Sequence, residues 1–194
     1  WAVRYLGERV KEGLRIQAVP TSAMTEQWAK QWGIPLVPLM KADQIDIAID
    51  GADEVDPRGN LIKGGGGALL REKIVAYNSR KFFVIVDESK LVRKLGRFPL
   101  PVEVVPFALD AVYCHLEKLG GNPAIRSIQD EPYRTDNGNG IIDCSFGEIH
   151  EPVELDVQLG GIPGIVETGL FIGMSHTIIV GHEDGTTRVL ALDT

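Results

Sequence analysis

The sequence predicts an α/β fold in which helices cover both faces of a mostly parallel sheet, together with a smaller α+β lobe. Three observations lead to this prediction. Short, largely apolar runs such as "IDIAID" (45–50) and "FFVIVD" (82–87) are typical of strands in a covered sheet. Segments with apolar residues at helical spacing separate these runs. Beyond residue 101, helices accompany a hairpin signal instead of alternating strictly with strands, which is typical of an α+β arrangement.

Two helices and two short strands are predicted before the run at 45–50. Apolar residues at helical spacing indicate a first helix over residues 2–10. Ser22 is a favourable N-cap for a second helix over residues 23–32. The apolar segments 14–19 and 34–39 are predicted as buried strands.

A third helix is predicted over residues 67–78, between the two main strands. Its expected core-facing residues are Leu69, Leu70, Ile74 and Tyr77. This assignment leaves the polar residues of the helix, Glu72 among them, to face solvent or a crevice.

The second half of the chain is predicted to form the smaller lobe. Prolines in "FPLPVEVVP" (98–106) indicate an exposed link. Asn137-Gly138 between strand-like flanks is a strong hairpin signal. Further helices are predicted over 107–121 and 151–161, and final strands over 176–182 and 187–193. We therefore assign residues 102–167 to the small α+β lobe, and residues 1–101 with 168–194 to the main domain.

The composition suits one core with a smaller second lobe and argues against two classes of partner. The chain has 194 residues, of which 44% are hydrophobic and 24% are charged. Its formal net charge of −7 disfavours binding to nucleic acid or to an anionic membrane surface. No apolar run approaches the roughly 20 residues of a membrane-spanning helix. We expect a small-molecule ligand, with no nucleic-acid and no membrane partner.

Cysteine and histidine give no sign of a disulfide framework or a metal centre. Cys114 and Cys144 are too few for such a framework and lack the spacing of metal ligands. Unpaired cysteines are typical of a reducing compartment, so a cytoplasmic protein is expected. The histidines also lack ligand spacing and are expected at the surface or in packing contacts; they are His115, His150, His176 and His182. No metal and no cofactor is expected.

Two aspartates follow one another closely where the strand 45–50 ends. Because ligands bind at the carboxyl ends of strands in open α/β sheets, Asp50 and Asp53 are candidate acid and base groups. The alternative is turn chemistry, in which an aspartate beside glycine only caps a loop. Glu54 and Asp56 are expected to be solvated loop acids.

Lys63 and four glycines come directly before the third helix in "KGGGGALLREK" (63–73). A glycine held in regular structure costs roughly 0.5–1 kcal/mol in backbone entropy, so a run of glycines favours a place where the backbone approaches a ligand. Free N–H groups at the helix N-terminus would bind an anionic oxygen, and Lys63 would add a cation there. The stretch matches neither the P-loop nor the dinucleotide-binding fingerprint. A flexible linker is the alternative.

Glu72 and Lys90 complete the candidate set. A carboxylate near backbone donors and a lysine suits the removal of a proton beside a carbonyl group. An exposed glutamate paired with a lysine is the alternative. Lys90 follows a strand in "DESK" (87–90), where it would either bind a phosphate or lie free on the surface.

Taken together, these motifs resemble ribose-5-phosphate isomerase of the A type. The matching segments keep their order across nearly the whole chain; they are "DGADE" (50–54), "KGGGGALLREK" (63–73), "DESK" (87–90), "PLPVEV" (99–104), "TDNGN" (135–139) and "TGLF" (168–171). The resemblance implies a Rossmann-like three-layer domain, a smaller α+β lobe, and a homodimer or homotetramer. It also implies a cofactor-free aldose–ketose isomerase of the pentose phosphate pathway, which interconverts ribose 5-phosphate and ribulose 5-phosphate.

Carried onto matching positions, the resemblance implies that Glu72 is the proton-shuttling base, with Asp50, Asp53 and Lys63 as its catalytic partners. The implied substrate-binding residues are Asp50, Gly51, Ala52, Asp53, Lys63, Gly64, Gly65, Gly66 and Lys90. Members of the family also have a "TGST"-type phosphate loop before the first long helix. Because Trp1 is expected to be already helical, we expect that loop to lie upstream of this sequence.

Two other function classes stay open at this point. A sugar-phosphate-sensing module on a related fold would bind the ligand without converting it, although Glu72 together with Asp50 and Asp53 argues against this class. Another enzyme of the same broad fold is the second. An amino-sugar deaminase would favour a histidine-assisted site, and an acyl-CoA transferase would use a glutamate nucleophile.

Overall fold

The computed structural model describes residues 2–42 and 44–192, so the predicted helical position of Trp1 and the end of the segment 187–193 lie outside the described residues. The α-helices are α1 (Ala2–Lys11), α2 (Ala23–Gln31), α3 (Leu69–Tyr77), α4 (Leu109–Lys118) and α5 (Pro152–Gly160). The strands are β1 (Ile45–Asp50), β2 (Glu54–Val55), β3 (Leu61–Ile62), β4 (Ser79–Asp87), β5 (Leu100–Val104), β6 (Asn122–Ile125), β7 (Ser127–Ile128), β8 (Glu131–Pro132), β9 (Gly140–Ser145), β10 (Ile165–Thr168), β11 (Leu170–Phe171), β12 (Thr177–Gly181) and β13 (Thr187–Ala191). No helix in this part of the chain is long and apolar enough to cross a membrane.

The main sheet has the strand order β1-β4-β12-β13. β1, β4 and β12 are parallel, and β13 closes the sheet antiparallel to β12. The predicted α/β class with a mostly parallel sheet is therefore confirmed. Asp50, the last residue of β1, pairs with Val84 of β4, so the acidic end of β1 lies at the carboxyl edge of the sheet.

A second sheet has the order β10-β5-β9-β6, and all its neighbouring strands are antiparallel. Helix α4 packs on β6 and β9, and helix α5 packs on β10. A short three-stranded sheet, β11-β3-β2, contributes to both cores, with Ile62 and Leu170 in one and Leu61 and Phe171 in the other. All four strands of the second sheet lie within residues 100–168, and the domain bounds at 101/102 and 167/168 stay a prediction.

The expected exposed link at 98–106 is wrong. Its residues Leu100–Val104 form β5, an inner strand of the second sheet in which every residue is buried. The prolines are typical of a linker, but the Pro101 carbonyl accepts the Gly169 N–H at 2.7 Å, so this proline is hydrogen-bonded to the neighbouring chain segment. Because Leu100, Val102 and Val104 are fully buried, the segment contributes core instead of connection.

The two buried strands predicted at 14–19 and 34–39 are also wrong. These segments meet only in an isolated parallel bridge between Ala18 and Leu36. Prolines lack the N–H that a ladder requires, and Pro35 and Pro38 interrupt the second segment. The Ala18 N–H donates to the Pro35 carbonyl, which is as far as the pairing extends on that side.

The predicted core face of α3 is confirmed for Leu69 and wrong for Ile74 and Tyr77. Leu69 and Ala76 are buried, whereas the side chains of Ile74 and Tyr77 are exposed by 39% and 80%. Positions 69, 72 and 76 lie on one stripe of a helix because their spacing is three and four residues. Glu72 therefore lies on the buried stripe, with a side chain only 16% exposed.

The Asn137-Gly138 turn forms as predicted, but the strand after it does not pair across the turn. The Gly138 N–H donates to the Thr135 carbonyl, and Gly138 has φ +81°. Strand β9 instead pairs with β5 and β6, and the shorter hairpin of β7 and β8 lies between β6 and this turn.

Glu54 is fully buried, so its prediction as a solvated loop acid is wrong. Its two carboxylate oxygens accept the backbone N–H groups of Gly96 at 2.7 Å and of Phe98 at 2.6 Å. Asp56 is half-buried and accepts the N–H groups of Arg58 and Asn60, which fixes the turn between β2 and β3. Both acids accept backbone N–H groups, and Glu54 thereby fixes a segment more than 40 residues away in the chain.

Glu54→Gln should lower the free energy of unfolding by about 2 kcal/mol, because hydrogen bonds to a charged group contribute roughly 1.5–3 kcal/mol and the amide nitrogen would face a backbone donor. Urea denaturation measures the change. Asp46→Asn is the matched control, since the Asp46 side chain is 79% exposed. A Glu54→Gln protein as stable as this control would contradict the assigned role.

Candidate active site

Three loops meet at the carboxyl edge of the main sheet. Asp50 ends β1 and Gly51 follows it, Lys63 follows β3, and the glycines after Lys63 lead into α3. The Lys63 N–H donates to the Gly169 carbonyl, which ties the start of the glycine-rich stretch to the turn between β10 and β11. The sequence thus brings two acids, one lysine and a helix N-terminus to one place.

The Lys63 ammonium is the centre of this arrangement. Its Nζ lies 3.0 Å from Asp50 Oδ2 and 3.0 Å from Glu72 Oε2. It also donates to the Gly51 carbonyl oxygen at 2.6 Å. The Lys63 side chain is only 3% exposed, so one buried cation contacts two carboxylates.

The charges of this cluster explain how the lysine stays protonated. Burial alone favours the neutral amine and lowers the pKa of Lys63, but the carboxylates of Asp50 and Glu72 outweigh it, so the pKa is raised. A buried ion needs such partners, because an unpaired one costs several kcal/mol. Lys63 is therefore a fixed positive charge.

Glu72 differs from Lys63 in that its environment disfavours its charge. Burial raises the pKa of Glu72, the Lys63 ammonium opposes that rise, and the Asp50 carboxylate adds to it. Glu72 Oε2 is buried and makes no well-directed hydrogen bond, although Lys63 is 3.0 Å away. A carboxylate with a raised pKa and a free oxygen is suited to accept a proton.

The glycine-rich stretch forms a turn before α3. Gly64 and Gly67 have φ values of +106° and +80°, which side-chain-bearing residues rarely adopt, and the Gly67 N–H donates to the Gly64 carbonyl. The Gly65 N–H donates to Asp53 Oδ2 at 2.8 Å. The Gly66 N–H has no protein acceptor among the described residues.

The turn changes two expectations about the glycines. The N–H groups of Gly65 and Gly67 already have protein acceptors, whereas those of Gly64 and Gly66 have none among the described residues. The Asp53 carboxylate accepts the Gly65 N–H. Its Oδ1 lies 2.8 Å from the position that a Cβ on Gly65 would occupy, so a side chain there would collide with Asp53. The following helix has no side-chain cap at Ala68, which leaves the first N–H groups of α3 for a ligand.

The other predicted site residues lie nearby with differing roles. The Gly51 N–H donates to Asp50 Oδ1 at 2.8 Å, and Ala52 packs against the core beneath the main sheet. Lys90 ends a short 3-10 helix, Glu88–Lys90, directly after β4. Within the described residues it forms no ion pair with the central acids, and substrate binding by Lys90 stays a prediction.

Sequence reasoning missed an aromatic residue and two basic residues of the site. The ring of Phe171 lies 5.4 Å from Lys63 Nζ and 5.0 Å from Lys73 Nζ, measured to the ring centroid. Lys73 pairs with Glu167 at 2.6 Å. Arg126, which lies between β6 and β7, reaches the glycine turn by donating to the Gly64 carbonyl. The phenylalanine lies within the quoted "TGLF" segment, whereas nothing local marks Arg126.

The described residues include no group of three or more His, Cys, Asp or Glu side chains arranged to hold a metal ion. The cluster contains a carboxylate with a raised pKa (Glu72), a buried ammonium (Lys63) and backbone N–H groups without a protein acceptor. These groups suit removal of a proton from a carbon beside a carbonyl, with the developing oxyanion bound by the ammonium and an amide.

Comparison with known proteins points to one family. The family model described as ribose 5-phosphate isomerase A (phosphoriboisomerase A) matches residues 17–185. The chain is similar to ribose-5-phosphate isomerase A 1 of Oceanobacillus iheyensis, with 49% identity over 95% of this chain and 83% of that protein. It is 50% identical to ribose-5-phosphate isomerase A of Bacillus mycoides, over 95% of this chain and 84% of the relative.

Solved structures have the same architecture. A D-ribose-5-phosphate isomerase in complex with phospho-erythronic acid matches with a TM-score of 0.94 and 42% identity, covering 97% of this chain and 84% of that one. The ribose 5-phosphate isomerase of Plasmodium falciparum matches with a TM-score of 0.95 and 37% identity, covering 100% of this chain and 86% of that one.

The Glu72 carboxyl should titrate above its ordinary value of 4.5, because burial raises its pKa. Lys63→Met should raise the pKa further, since the lysine lowers it and only burial and Asp50 would remain. Titration followed by carboxyl carbon NMR measures both midpoints. Lys90→Met is the control and should leave the midpoint unchanged. A lower midpoint in Lys63→Met would contradict the described charge balance.

Proposed function

Because the chain belongs to the ribose 5-phosphate isomerase A family, we propose that this site interconverts D-ribose 5-phosphate and D-ribulose 5-phosphate through an enediolate. The reaction belongs to the non-oxidative pentose phosphate pathway. The observation that supports this most directly is the Lys63 ammonium, 3.0 Å from both the Asp50 and Glu72 carboxylates. This arrangement places a base, Glu72, and an oxyanion partner, Lys63, 3.0 Å from each other.

The sugar must first open from its ring form. Asp50 is the proposed group for the hydroxyl-proton step of ring opening, with Asp53 as its neighbour. Asp50 Oδ2 contacts Lys63, and its Oδ1 accepts the Gly51 N–H. Both contacts fix the orientation of the Asp50 carboxylate at the edge of the site.

Proton transfer follows on the open aldose. Glu72 takes the proton from C2, and the electron pair of the C2–H bond forms the C1–C2 double bond while the carbonyl electrons move onto O1. Lys63 and the Gly66 N–H bind the resulting oxyanion. Glu72 then returns its proton to C1, and the hydroxyl proton of O2 passes to O1, which leaves the ketone at C2. The atoms and charges balance without a cofactor.

The substrate also has a phosphate, which bears about two negative charges near pH 7. Lys90 is the proposed partner, since it is cationic and follows β4 at the same edge of the sheet as Asp50. The relative bound to phospho-erythronic acid supports a site that takes a phosphorylated sugar acid. We propose that the same acid binds here with its carboxylate against Lys63.

Three further proposals accompany this function. A cytoplasmic location is consistent with Cys114 and Cys144, which are both free thiols. A homodimer or homotetramer is proposed from the family resemblance, and sedimentation would test it. The division into a main domain (1–101 with 168–194) and a small lobe (102–167) is proposed on the separate second sheet.

Glu72→Gln should lower kcat about 10²–10⁴-fold while leaving KM nearly unchanged. The amide keeps the shape of the side chain but accepts no proton, and general base catalysis contributes a factor of this size. A coupled assay of ribulose 5-phosphate formation, run with EDTA, measures both constants. Glu26→Gln is an exposed control on α2. Near-normal kcat in Glu72→Gln would rule out the proposed base.

Asp50→Asn should slow reaction of the cyclic sugar more than reaction of an open-chain analogue. Only the cyclic form needs the hydroxyl-proton step that Asp50 is proposed to perform. Comparing kcat/KM for ribose 5-phosphate and for the phosphorylated four-carbon aldose erythrose 4-phosphate measures the difference, because the phosphate on O4 of erythrose 4-phosphate prevents closure of a furanose ring. Equal losses on both substrates would assign Asp50 to positioning instead.

A further inference from the structure

We propose that Arg126 is a positioning residue that fixes the glycine turn so that the Gly66 N–H points at the substrate oxyanion. Its Nη1 donates to the carbonyl oxygens of Gly64 at 2.9 Å and of Gly65 at 3.2 Å. This inference rests on the proposed function for its oxyanion, and it adds a residue from the second sheet to the site.

Arg126 is itself held on several sides. Its Nε donates to Asp143 Oδ2 at 2.8 Å, and its Nη2 donates to the other carboxylate oxygen of Asp143. Its backbone N–H donates to Ile141, and its carbonyl accepts the Tyr133 N–H. The guanidinium also lies 5.7 Å from the centroid of the Tyr133 ring. With a side chain 15% exposed, the arginine is a rigid support.

The contacts from Arg126 to the two carbonyl groups determine where the N–H groups of Gly65 and Gly66 point. A trans peptide is planar, so its N–H points away from its C=O. The carbonyl of Gly64 belongs to the same peptide as the Gly65 N–H, and that N–H does point to Asp53 Oδ2, 2.8 Å away. By the same rule, a Gly65 carbonyl aimed at Arg126 directs the Gly66 N–H away from Arg126.

The Gly66 N–H has no protein acceptor in the described part of the chain, so it is available to a ligand. A Cβ at Gly66 would meet nothing within 4 Å, so space is open around this residue. Successive N–H groups on one side of a turn form an anion-binding concavity. The guanidinium bound to the Gly65 carbonyl polarises the same peptide and strengthens its N–H as a donor.

Tyr133 closes the other end of the turn. Its hydroxyl lies 2.1 Å from the position that a Cβ on Gly67 would occupy. Gly67 also has φ +80°, so a side chain there is excluded twice. Arg126 and Tyr133 thus hold the turn from the side of the second sheet, while Asp53 holds it from the side of the main sheet.

Arg126→Met tests this inference, because methionine keeps the apolar stem but donates to neither carbonyl. We expect kcat to fall at least 10-fold, up to the ~10²–10³-fold that loss of an oxyanion donor causes, with a smaller change in KM. Arg126→Lys retains one donor and should recover part of kcat. Arg80→Met is the matched control, since the Arg80 side chain is 69% exposed.

The probe that separates positioning from plain stability is the Gly66 amide resonance. In the wild-type protein, phospho-erythronic acid should shift this resonance. In Arg126→Met the shift should be lost, even if that variant melts at the same temperature as Arg126→Lys. Unchanged kcat in Arg126→Met, or an unchanged Gly66 response, would overturn the inference. If Arg126→Met does not fold, Arg126→Lys with a full wild-type kcat and Gly66 response would overturn it as well.

The same measurements distinguish the two proposals. A wild-type protein that binds phospho-erythronic acid without isomerase activity would remove the proposed function, while its Gly66 response would still test Arg126. An active wild-type protein with an unaffected Arg126→Met variant would remove only the role of Arg126.

Discussion

The buried Lys63 ammonium is the interaction on which the rest of this site depends. Its charge is neutralised by Asp50 and Glu72 and by the Gly51 carbonyl, each within 3.0 Å. Removing water from a lysine is costly unless such partners are fixed in place. The ends of β1 and β3 and the start of α3 must therefore meet at one point. The contacts that keep this part of the fold together are the same contacts that place the groups for the proposed reaction.

That constraint has a catalytic consequence, because one cation serves two carboxylates with different tasks. Glu72 lies on the buried stripe of α3, where burial raises its pKa and Lys63 limits the rise. Asp50 lies at the more open edge, 29% exposed. The glycine turn completes the arrangement, since Asp53 and the proposed support from Arg126 leave the Gly66 N–H for the oxyanion.

The sequence predicted the local parts of this account and missed those that depend on distant partners. "DGADE" and "KGGGGALLREK" indicated the acids, the lysine and the glycines because each motif is contiguous. Glu54 appeared solvated because its partners, Gly96 and Phe98, lie more than 40 residues away. Arg126 was missed for the same reason. The segment 98–106 was misassigned because proline frequency outweighed an apolar pattern that only an inner strand explains.

The most direct test of the central claim, that Glu72 moves a proton between two carbons, is isomerisation in D₂O followed by NMR of the product. A proton held on Glu72 exchanges with solvent, so the wild-type protein should incorporate deuterium at C1 of ribulose 5-phosphate and at C2 of the remaining ribose 5-phosphate, and Glu72→Gln should incorporate none in the same time. Deuterium incorporation by Glu72→Gln at the wild-type rate would contradict the account.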